Sequence, residues 1–214
     1  MSDKKIKIVI ADDHTILVDG MVQLLEKNNN YEIVGTANNG QEVIDILKRR
    51  PADIIIMDIN MPIMDGIEAT QIVSDHFEPT KVLIMSMHNK EGYIKNAIKA
   101  GASGYILKNT NNEELHEAIA SVLEGGSYFS QDVSSRMATS MRGITKEKEV
   151  VLISPKEKLL LKLLSEGYTS DEISDKMETT SHTIKAYRRN LIIKFKVKNV
   201  TQLIAVALKD GYIM

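Results

Sequence analysis

Residues 54–66 are Ile54-Ile55-Ile56-Met57-Asp58-Ile59-Asn60-Met61-Pro62-Ile63-Met64-Asp65-Gly66, and this stretch decides the fold of the first part of the chain. Four apolar residues, three of them β-branched, lead directly to one carboxylate. A short apolar run bounded by turn signals predicts a buried central strand of a parallel sheet. Pro62 cannot continue that strand. Asp58 is therefore expected at the carboxyl end of a buried strand, where open α/β sheets place their ligand sites.

The same alternation of strand and helix patterns extends through the first 125 residues. Strand patterns lie at residues 6–11, 33–37, 54–57, 82–86 and 105–108, and apolar residues at helical spacing follow each of them. Strands that alternate with helices of about 10–15 residues predict a doubly wound, parallel α/β sheet, here with five strands.

Composition narrows the class of protein. The 214 residues are 43% hydrophobic and 26% charged, and they include no cysteine, which excludes disulfides and thiolate chemistry. No apolar run reaches the roughly 18 residues of a membrane span, and residues 1–5 do not resemble a signal peptide, so we expect a cytoplasmic protein with no membrane partner.

Charge is distributed unevenly along the chain. Residues 154–214 hold 11 Lys and Arg against 7 Asp and Glu, a net charge of +4, whereas residues 1–153 hold 16 against 22, a net charge of −6. Only the second part is predicted to meet a polyanion.

Polar side chains follow four of the five predicted strands. They are Asp12, Asp13, Asp58, Ser86 and Lys108. The carboxyl ends of parallel strands share one edge of a sheet, so these side chains are expected to converge. Carboxylates that lie close together need a cation, and an all-oxygen cluster suits Mg²⁺. The set fits phosphoryl transfer, with Asp58 as the nucleophile and with Mg²⁺ held by Asp13, Asp58 and, through water, Asp12.

These strand-end residues, the motif Met61-Pro62-Ile63-Met64-Asp65-Gly66 and the stretch Gly101-Ala102-Ser103-Gly104-Tyr105-Ile106-Leu107-Lys108 resemble the receiver domain of bacterial two-component response regulators. The resemblance covers about residues 5–125 and implies a flavodoxin-like fold. It implies that Asp58 accepts phosphate from a histidine kinase, and that Asp13, Asp58 and the backbone carbonyl of Asn60 bind Mg²⁺.

The resemblance also assigns the remaining strand-end residues. Ser86 and Lys108 would contact the phosphoryl group, and Tyr105 would turn inward when Ser86 moves. Asn109 stands where many receivers have proline, which leaves open whether the Lys108–Asn109 bond is cis. Tyr105 could instead be an edge-strand aromatic, and we interpret His14 and His88 as loop or capping residues rather than metal ligands.

Residues 127–153 connect the two parts of the chain. Apolar residues at Tyr128, Phe129, Val133, Met137 and Met141 suggest a short helix that extends the first domain. Residues 142–149 are polar and charged and are interpreted as a linker. Residues 150–153 are apolar and could pack on the second domain.

Residues 154–214 have the pattern of a nucleic-acid-binding domain. Ser154-Pro155-Lys156-Glu157 is a strong helix start, with a buried stripe expected at Leu159, Leu160, Leu163 and Leu164. A second helix is expected to open at Thr169 or Ser170. A third, from about Ser181 to Phe195, carries Lys185, Arg188 and Arg189 on one face. Two helices around a tight turn followed by a basic helix predict a helix-turn-helix whose basic helix lies in the major groove of double-stranded DNA.

About residues 154–212 resemble the four-helix DNA-binding domain of NarL/FixJ/LuxR-type regulators, through the residues Ser154-Pro155-Lys156-Glu157, Gly167, Glu172-Ile173, Ser181-His182-Thr183-Ile184-Lys185, Arg188, Asn190, Lys194 and Val197-Lys198-Asn199. The resemblance places Thr183, Lys185, Arg188, Arg189 and Lys194 at the DNA. It places the dimer contact on the last helix, at Leu203, Ala207 and Lys209, although these could also be core. Leu159 and Tyr187 depart from the family pattern, so promoter preference cannot be transferred.

The sequence thus predicts a phosphorylation-dependent transcriptional regulator of the NarL/FixJ type. Its predicted parts are a receiver (residues 1–126), a helix extension and linker (127–153) and a LuxR-type helix-turn-helix domain (154–214). It is expected to dimerise on promoter half-sites when phosphorylated and to show at most slow self-dephosphorylation. The alternative is a constitutive DNA-binding regulator. A haloacid-dehalogenase-like phosphatase is disfavoured, because its second aspartate is replaced by Asn60.

Overall fold

The computed structural model of the chain describes residues 5–141, 151 and 153–213. The chain divides into two compact units, Met1–Val150 and Val151–Met214. Within the described ranges, no helix is both long and apolar enough to cross a membrane. The predicted linker, residues 142–149, lies outside the described residues. Of the apolar residues 150–153, Val151 and Ile153 are described and pack against the core of the second unit, as one interpretation of the sequence suggested.

Strands and helices alternate through the first unit. Their bounds are β1 Ile6–Ala11, α1 Thr15–Leu25, β2 Tyr31–Ala37, α2 Gly40–Arg49, β3 Ile54–Met57, α3 Gly66–His76, β4 Lys81–Ser86, α4 Glu91–Lys99, β5 Gly104–Leu107, α5 Asn112–Leu123, β6 Tyr128–Phe129 and α6 Gln131–Met141. The strands form one parallel sheet in the order β2-β1-β3-β4-β5-β6. The predicted doubly wound α/β class is confirmed.

Strand β3 is central and fully buried, as its apolar sequence predicts. It pairs with β1 on one side and β4 on the other. The following residue, Asp58, stays in the ladder, because its N–H donates to the carbonyl of Ala11 at 2.8 Å. Helix α3 begins close by at Gly66, where a Cβ would overlap the carbonyl oxygen of Asp58. Glycine therefore allows the chain to fold back tightly against the carboxylate.

The sheet has six strands, and the prediction of five was wrong. Tyr128 and Phe129, expected in a helix, form the short strand β6, which pairs with Gly104 and Tyr105 of β5. The helix of this segment begins only at Gln131. Backbone groups on the outer edge of β5 would otherwise lack partners, and the two aromatic residues have high strand propensity. Pairing with the edge of the sheet therefore determines the structure of Tyr128 and Phe129, although the apolar residues of 128–141 are spaced as in a helix.

The second unit is helical over its described residues. Its helices are α7 Pro155–Ser165, α8 Ser170–Lys176, α9 Ser181–Lys194 and α10 Val200–Lys209. Capping boxes begin α7 and α8: Ser154 pairs with Glu157, and Thr169 pairs with Glu172. These reciprocal bonds satisfy backbone N–H groups that a helix start leaves without partners.

One assignment in this unit was wrong. Leu159 is 43% exposed, while Leu161, which was not predicted, is fully buried. Five leucines lie between residues 159 and 164, so their spacing alone cannot fix which face of α7 is buried. Leu203 and Ala207 are fully buried in the core of this unit, so of the two interpretations left open for them the structure supports core packing.

Candidate functional site

Three strand-end side chains meet at the carboxyl edge of the sheet. The Nζ atom of Lys108, after β5, lies 2.6 Å from Asp12 Oδ2 and 3.2 Å from Asp58 Oδ2. All three side chains are at most 6% exposed. Charged groups are rarely buried unless they are paired. The structure thus brings together the residues that the sequence predicts at the ends of β1, β3 and β5.

Burial and the neighbouring charges shift the pKa of Asp58. Burial raises the pKa of Asp58 to about 6, with Lys108 acting in the opposite direction and Asp12 adding to the rise. Burial by itself would lower the pKa of Lys108, but the contacts with Asp12 and Asp58 raise it above its usual value. Lys108 is therefore a fixed cation, and a further cation near Asp58 would favour its ionised form.

Asp13 lies at the more open side of the cluster. Its Oδ1 atom is buried and accepts no hydrogen bond from the described residues, although His14 Nδ1 lies 2.9 Å away. The same nitrogen lies 3.1 Å from Asp12 Oδ1. A buried carboxylate oxygen without a donor beside a second carboxylate fits a hard cation such as Mg²⁺. His14 is also the N-cap residue of α1, but its ring makes no capping bond.

Ser86 and Tyr105 are both fully buried and are connected through the loop after β4. The Oγ atom of Ser86 accepts a hydrogen bond from His88 N at 3.2 Å, and the Tyr105 hydroxyl donates to the carbonyl of His88 at 2.6 Å. Burial raises the pKa of Tyr105, so its hydroxyl stays protonated and remains a donor. Tyr105 therefore points inward, and because β6 flanks β5 it is not an edge-strand aromatic.

His88 has contacts that the sequence did not reveal. Its ring stacks on Tyr93 at a centroid distance of 4.2 Å, and its Nε2 atom lies 2.5 Å from Asn60 Nδ2. The loop after β4 is thereby joined to the loop that follows Asp58. In the sequence, the sign of these contacts was the position of His88 two residues after Ser86.

The Lys108–Asn109 bond is trans, since Glu78–Pro79 is the cis bond found among the described residues.

The five predicted DNA contacts fall into two groups. Lys185 and Arg189 are exposed on α9. Arg188 is half-buried and donates to Ser170 Oγ at 2.7 Å, which joins α9 to the start of α8. Lys194 Nζ lies 3.0 Å from Oε2 of the buried Glu157 in the α7 capping box.

Thr183 also has a local partner. Its N–H donates to Thr180 Oγ1 at 3.2 Å, and the two hydroxyl oxygens lie 2.9 Å apart. Thr180 is the N-cap of α9, so Thr183 lies in the first turn of the basic helix. Lys185 and Arg189 are thus exposed members of the predicted set for which no partner is described, whereas Arg188 and Lys194 connect α9 to other helices and Thr183 bonds to the N-cap of its own helix.

Comparison with known proteins gives a match for each unit. The family described as the response regulator receiver domain matches residues 8–120. The family described as bacterial regulatory proteins, luxR family, matches residues 151–207. The first match contains the acidic cluster and Lys108, and the second contains the basic helix α9.

Similar proteins extend the match to nearly the whole chain. The transcriptional regulatory protein MctR of Rhizobium johnstonii is 32% identical over 209 residues, which cover 98% of this chain and 96% of MctR. The oxygen regulatory protein NreC of Staphylococcus epidermidis is 32% identical over 212 residues, which cover 95% of this chain and 97% of NreC. A structure of the response regulator RcsB of Salmonella typhimurium is 26% identical with a TM-score of 0.61, covering 95% of this chain and 98% of RcsB.

The two family matches occur in the order of the two structural units, and the relatives share both parts at nearly full length. The chain therefore belongs to the NarL/FixJ-type response regulators, two-component transcription regulators in which a receiver domain precedes a LuxR-type DNA-binding domain.

Proposed function

We propose that this regulator is controlled by phosphorylation of Asp58, and that a sensor histidine kinase is the phosphate donor. The observation that carries the proposal is the buried Asp58 carboxylate paired with Lys108, itself held by Asp12. A carboxylate oxygen of Asp58 attacks phosphorus, the bond from phosphorus to the donor's imidazole nitrogen breaks, and an acyl phosphate forms. Lys108 supplies positive charge to the transferred group.

The residues around Asp58 are suited to Mg²⁺. Asp12, Asp13, Asp58 and the backbone carbonyl of Asn60 would hold it, and when bound it compensates negative charge on the phosphoryl oxygens. The Asp13 oxygen without a hydrogen bond supports this assignment. Ser86 would donate to the phosphoryl group. Its Oγ atom accepts the hydrogen bond from His88 N–H, so the hydroxyl hydrogen is available for that donation. A shift of Ser86 toward the phosphoryl group would move the His88 backbone with it, and Tyr105, which donates to the carbonyl of His88, would register the change.

The second unit would bind double-stranded promoter DNA through α9. Lys185 and Arg189 would contact the DNA directly, while Thr183, Arg188 and Lys194 would contact it from positions that also stabilise the helices. Solved structures of RcsB include a complex with DNA and two dimers bound to two parallel DNAs. They support DNA as the partner and a homodimer on two half-sites as the bound form. Phosphorylation would promote that dimer.

The remaining assignments follow from this function. Residues 1–126 would be the receiver, residues 127–153 the extension and linker, and residues 154–214 the DNA-binding domain. The protein would act in the cytoplasm. The relatives are transcriptional regulators and not enzymes, and the chain's own chemistry would be limited to slow self-dephosphorylation, because Asn60 cannot act as an acid or base.

Labelling with acetyl phosphate in Mg²⁺ tests the acceptor. The full-length protein should gain one phosphoryl group by mass spectrometry, whereas Asp58→Asn should gain none. Asp19→Asn, an exposed aspartate in α1, is the matched control and should label normally. Equal labelling of wild type and Asp58→Asn would refute the assignment of Asp58. No labelling of any form would favour the constitutive regulator.

A further inference from the structure

The chain turns back toward the core of the second unit directly after α10. Gly211 has a φ of +76°, and its N–H donates to the carbonyl of Leu208 at 3.2 Å. The N–H of Tyr212 donates to the carbonyl of Ala207 at 2.9 Å. These two bonds form a Schellman motif, a defined way to end a helix. Tyr212 is therefore held in one position, and Ile213 beside it is buried in the core.

The side chain of Tyr212 contacts two separate segments of the unit. Its ring meets the ring of Phe195 edge to face, with the centroids 5.0 Å apart. Its hydroxyl oxygen accepts a hydrogen bond from the N–H of Val151 at 2.7 Å. Phe195 is the C-cap residue of α9, and Val151 is the first residue of the second unit. One side chain thus connects the entry of the chain into this unit with the end of the basic helix.

A second contact joins the same two segments. Glu157 Oε2 accepts the N–H of Ser154 at 2.8 Å in the α7 capping box, and Lys194 Nζ lies 3.0 Å from the same oxygen. Lys194 is the last residue of α9. Val151 and Ile153 also pack, partly buried, against the core that contains Phe195. The entry segment is therefore attached to the end of α9 through Val151 and again through Glu157.

We propose that Tyr212 is a positioning residue for DNA binding, which fastens the end of the linker to the recognition helix α9. The inference rests on the proposed function, in which α9 contacts DNA and the receiver controls that contact. Residues 142–149 lead into the entry segment, so a displacement of the linker acts on Val151 first. With the hydrogen bond in place, the displacement is passed through Tyr212 to Phe195. Without the bond, the entry segment can shift while α9 stays in place.

Amide hydrogen exchange of the full-length protein, followed by NMR, tests the anchor. Tyr212→Phe removes the hydroxyl and keeps the ring against Phe195. The Val151 amide should then exchange about 2- to 10-fold faster, the factor that corresponds to the loss of one hydrogen bond. Tyr168→Phe is the matched control, since it removes a hydroxyl elsewhere in the same unit and keeps the ring beneath Lys176. It should leave exchange at Val151 as in wild type.

The affinity for a genomic DNA duplex recovered by wild type, measured with and without beryllofluoride, tests the transmission. Wild type and Tyr168→Phe should gain affinity equally when beryllofluoride is added. In Tyr212→Phe that gain should be about 2- to 10-fold smaller, because one hydrogen bond has been lost from the connection. A residue that only stabilised the fold would change the affinity by the same factor in both conditions.

Three outcomes would overturn the inference. Unchanged exchange at Val151 in Tyr212→Phe would refute the anchor. An affinity that falls equally with and without beryllofluoride would show a purely structural role. A gain in Tyr212→Phe as large as in wild type would refute the transmission and leave the proposed function intact. A wild type whose affinity does not respond to beryllofluoride would instead contradict the proposed function, and this inference with it.

Discussion

At the scale of single residues, the carboxylate of Asp58, the proposed acceptor, is buried in a way that lowers the stability of the protein. Asp58 is nearly buried and shares one cation, Lys108, with Asp12. Two carboxylates with one lysine leave a net negative charge in a poorly solvated site, which is unfavourable without a further cation or proton. The strain is local to the group that is proposed to react, so a change at that residue should be visible in the stability of the protein.

Asp58→Asn should stabilise the metal-free protein at neutral pH. Burial raises the pKa of Asp58 from its ordinary value of 3.8 to about 6. A raised pKa means that the folded protein binds this proton more tightly than the unfolded chain does. The resulting contribution to the free energy of unfolding is fully present below the unfolded pKa of 3.8 and is lost as the pH rises through about 6. Removing the charge should therefore raise the free energy of unfolding by about 1–3 kcal/mol at pH 7.5, and by little near pH 4. Urea unfolding in EDTA followed by circular dichroism measures this difference.

The exposed variant Asp19→Asn is the control for that stability measurement, and it should change the free energy of unfolding little at either pH. A wild type that is as stable as Asp58→Asn at pH 7.5 would contradict the buried, unbalanced charge assigned to Asp58.

Lys194 provides a second test at residue scale, in the helical unit. Its ammonium group pairs with Glu157, whose side chain caps α7 and is only 6% exposed. Lys194→Ala leaves that carboxylate without its cation. Because the lysine itself is 40% exposed, water compensates in part, and we expect a loss of about 1–2 kcal/mol in the free energy of unfolding. Thermal unfolding followed by circular dichroism measures it.

Arg189→Ala is the contrasting variant for Lys194→Ala. Arg189 is exposed on α9, so its replacement should weaken DNA binding with little effect on stability. If Lys194→Ala and Arg189→Ala were equally stable and equally weak in DNA binding, Lys194 would be a simple DNA contact and the structural role would be wrong.

At the scale of elements, continuous apolar runs bounded by turn signals were predictable from sequence, and pieces whose structure depends on tertiary contacts were not. Strand β3 follows from Ile54–Met57, because four consecutive apolar residues need burial on both faces of a sheet. Strand β6 has two residues, too few for a periodicity, and depends on the free edge of β5. The buried face of α7 was misassigned because leucines at consecutive positions occupy all sides of the helix, so their spacing does not show which side is buried. His88 joins Asn60 and Tyr93 only through tertiary contacts.

Helix α6 gives the prediction that belongs to this scale. It follows β6, whose next residue, Ser130, donates its N–H to the carbonyl of Tyr105 at 3.2 Å. Val133 of α6 is fully buried. Val133→Asp places a charge at that fully buried position and should release α6 from the receiver. Limited proteolysis should then cleave within residues 131–138 much faster, while the rest of the receiver stays resistant.

The surface variant Asp132→Ala, one residue earlier on α6, should leave the cleavage pattern as in wild type. If Val133→Asp were also cleaved like wild type, α6 would not be held by Val133. If the whole receiver became sensitive, the segment would be part of the core of the domain and not an extension packed on it.

At the scale of the whole molecule, charge separates the two functions. The first 153 residues carry a net charge of −6 and the last 61 carry +4. An acidic receiver suits a cation-dependent phosphate acceptor, and a basic helical unit suits DNA, whose binding releases counterions and weakens with salt. The sequence predicted the strand-end residues and the basic helix because both depend on local patterns. It could not predict how Arg188 or Tyr212 is used, because their partners are set by tertiary contacts.

The central claim is that phosphate on Asp58 controls DNA binding. The most direct measurement is the recovery of genomic DNA fragments by the full-length protein in Mg²⁺, with and without beryllofluoride as a phosphoryl mimic. Wild type should enrich a defined set of fragments only with beryllofluoride, and Asp58→Asn should enrich none above its background. Arg189→Ala should fail to enrich the fragments even with beryllofluoride. Recovery of the same fragments by wild type and Asp58→Asn, with or without beryllofluoride, would contradict the account and establish a constitutive regulator.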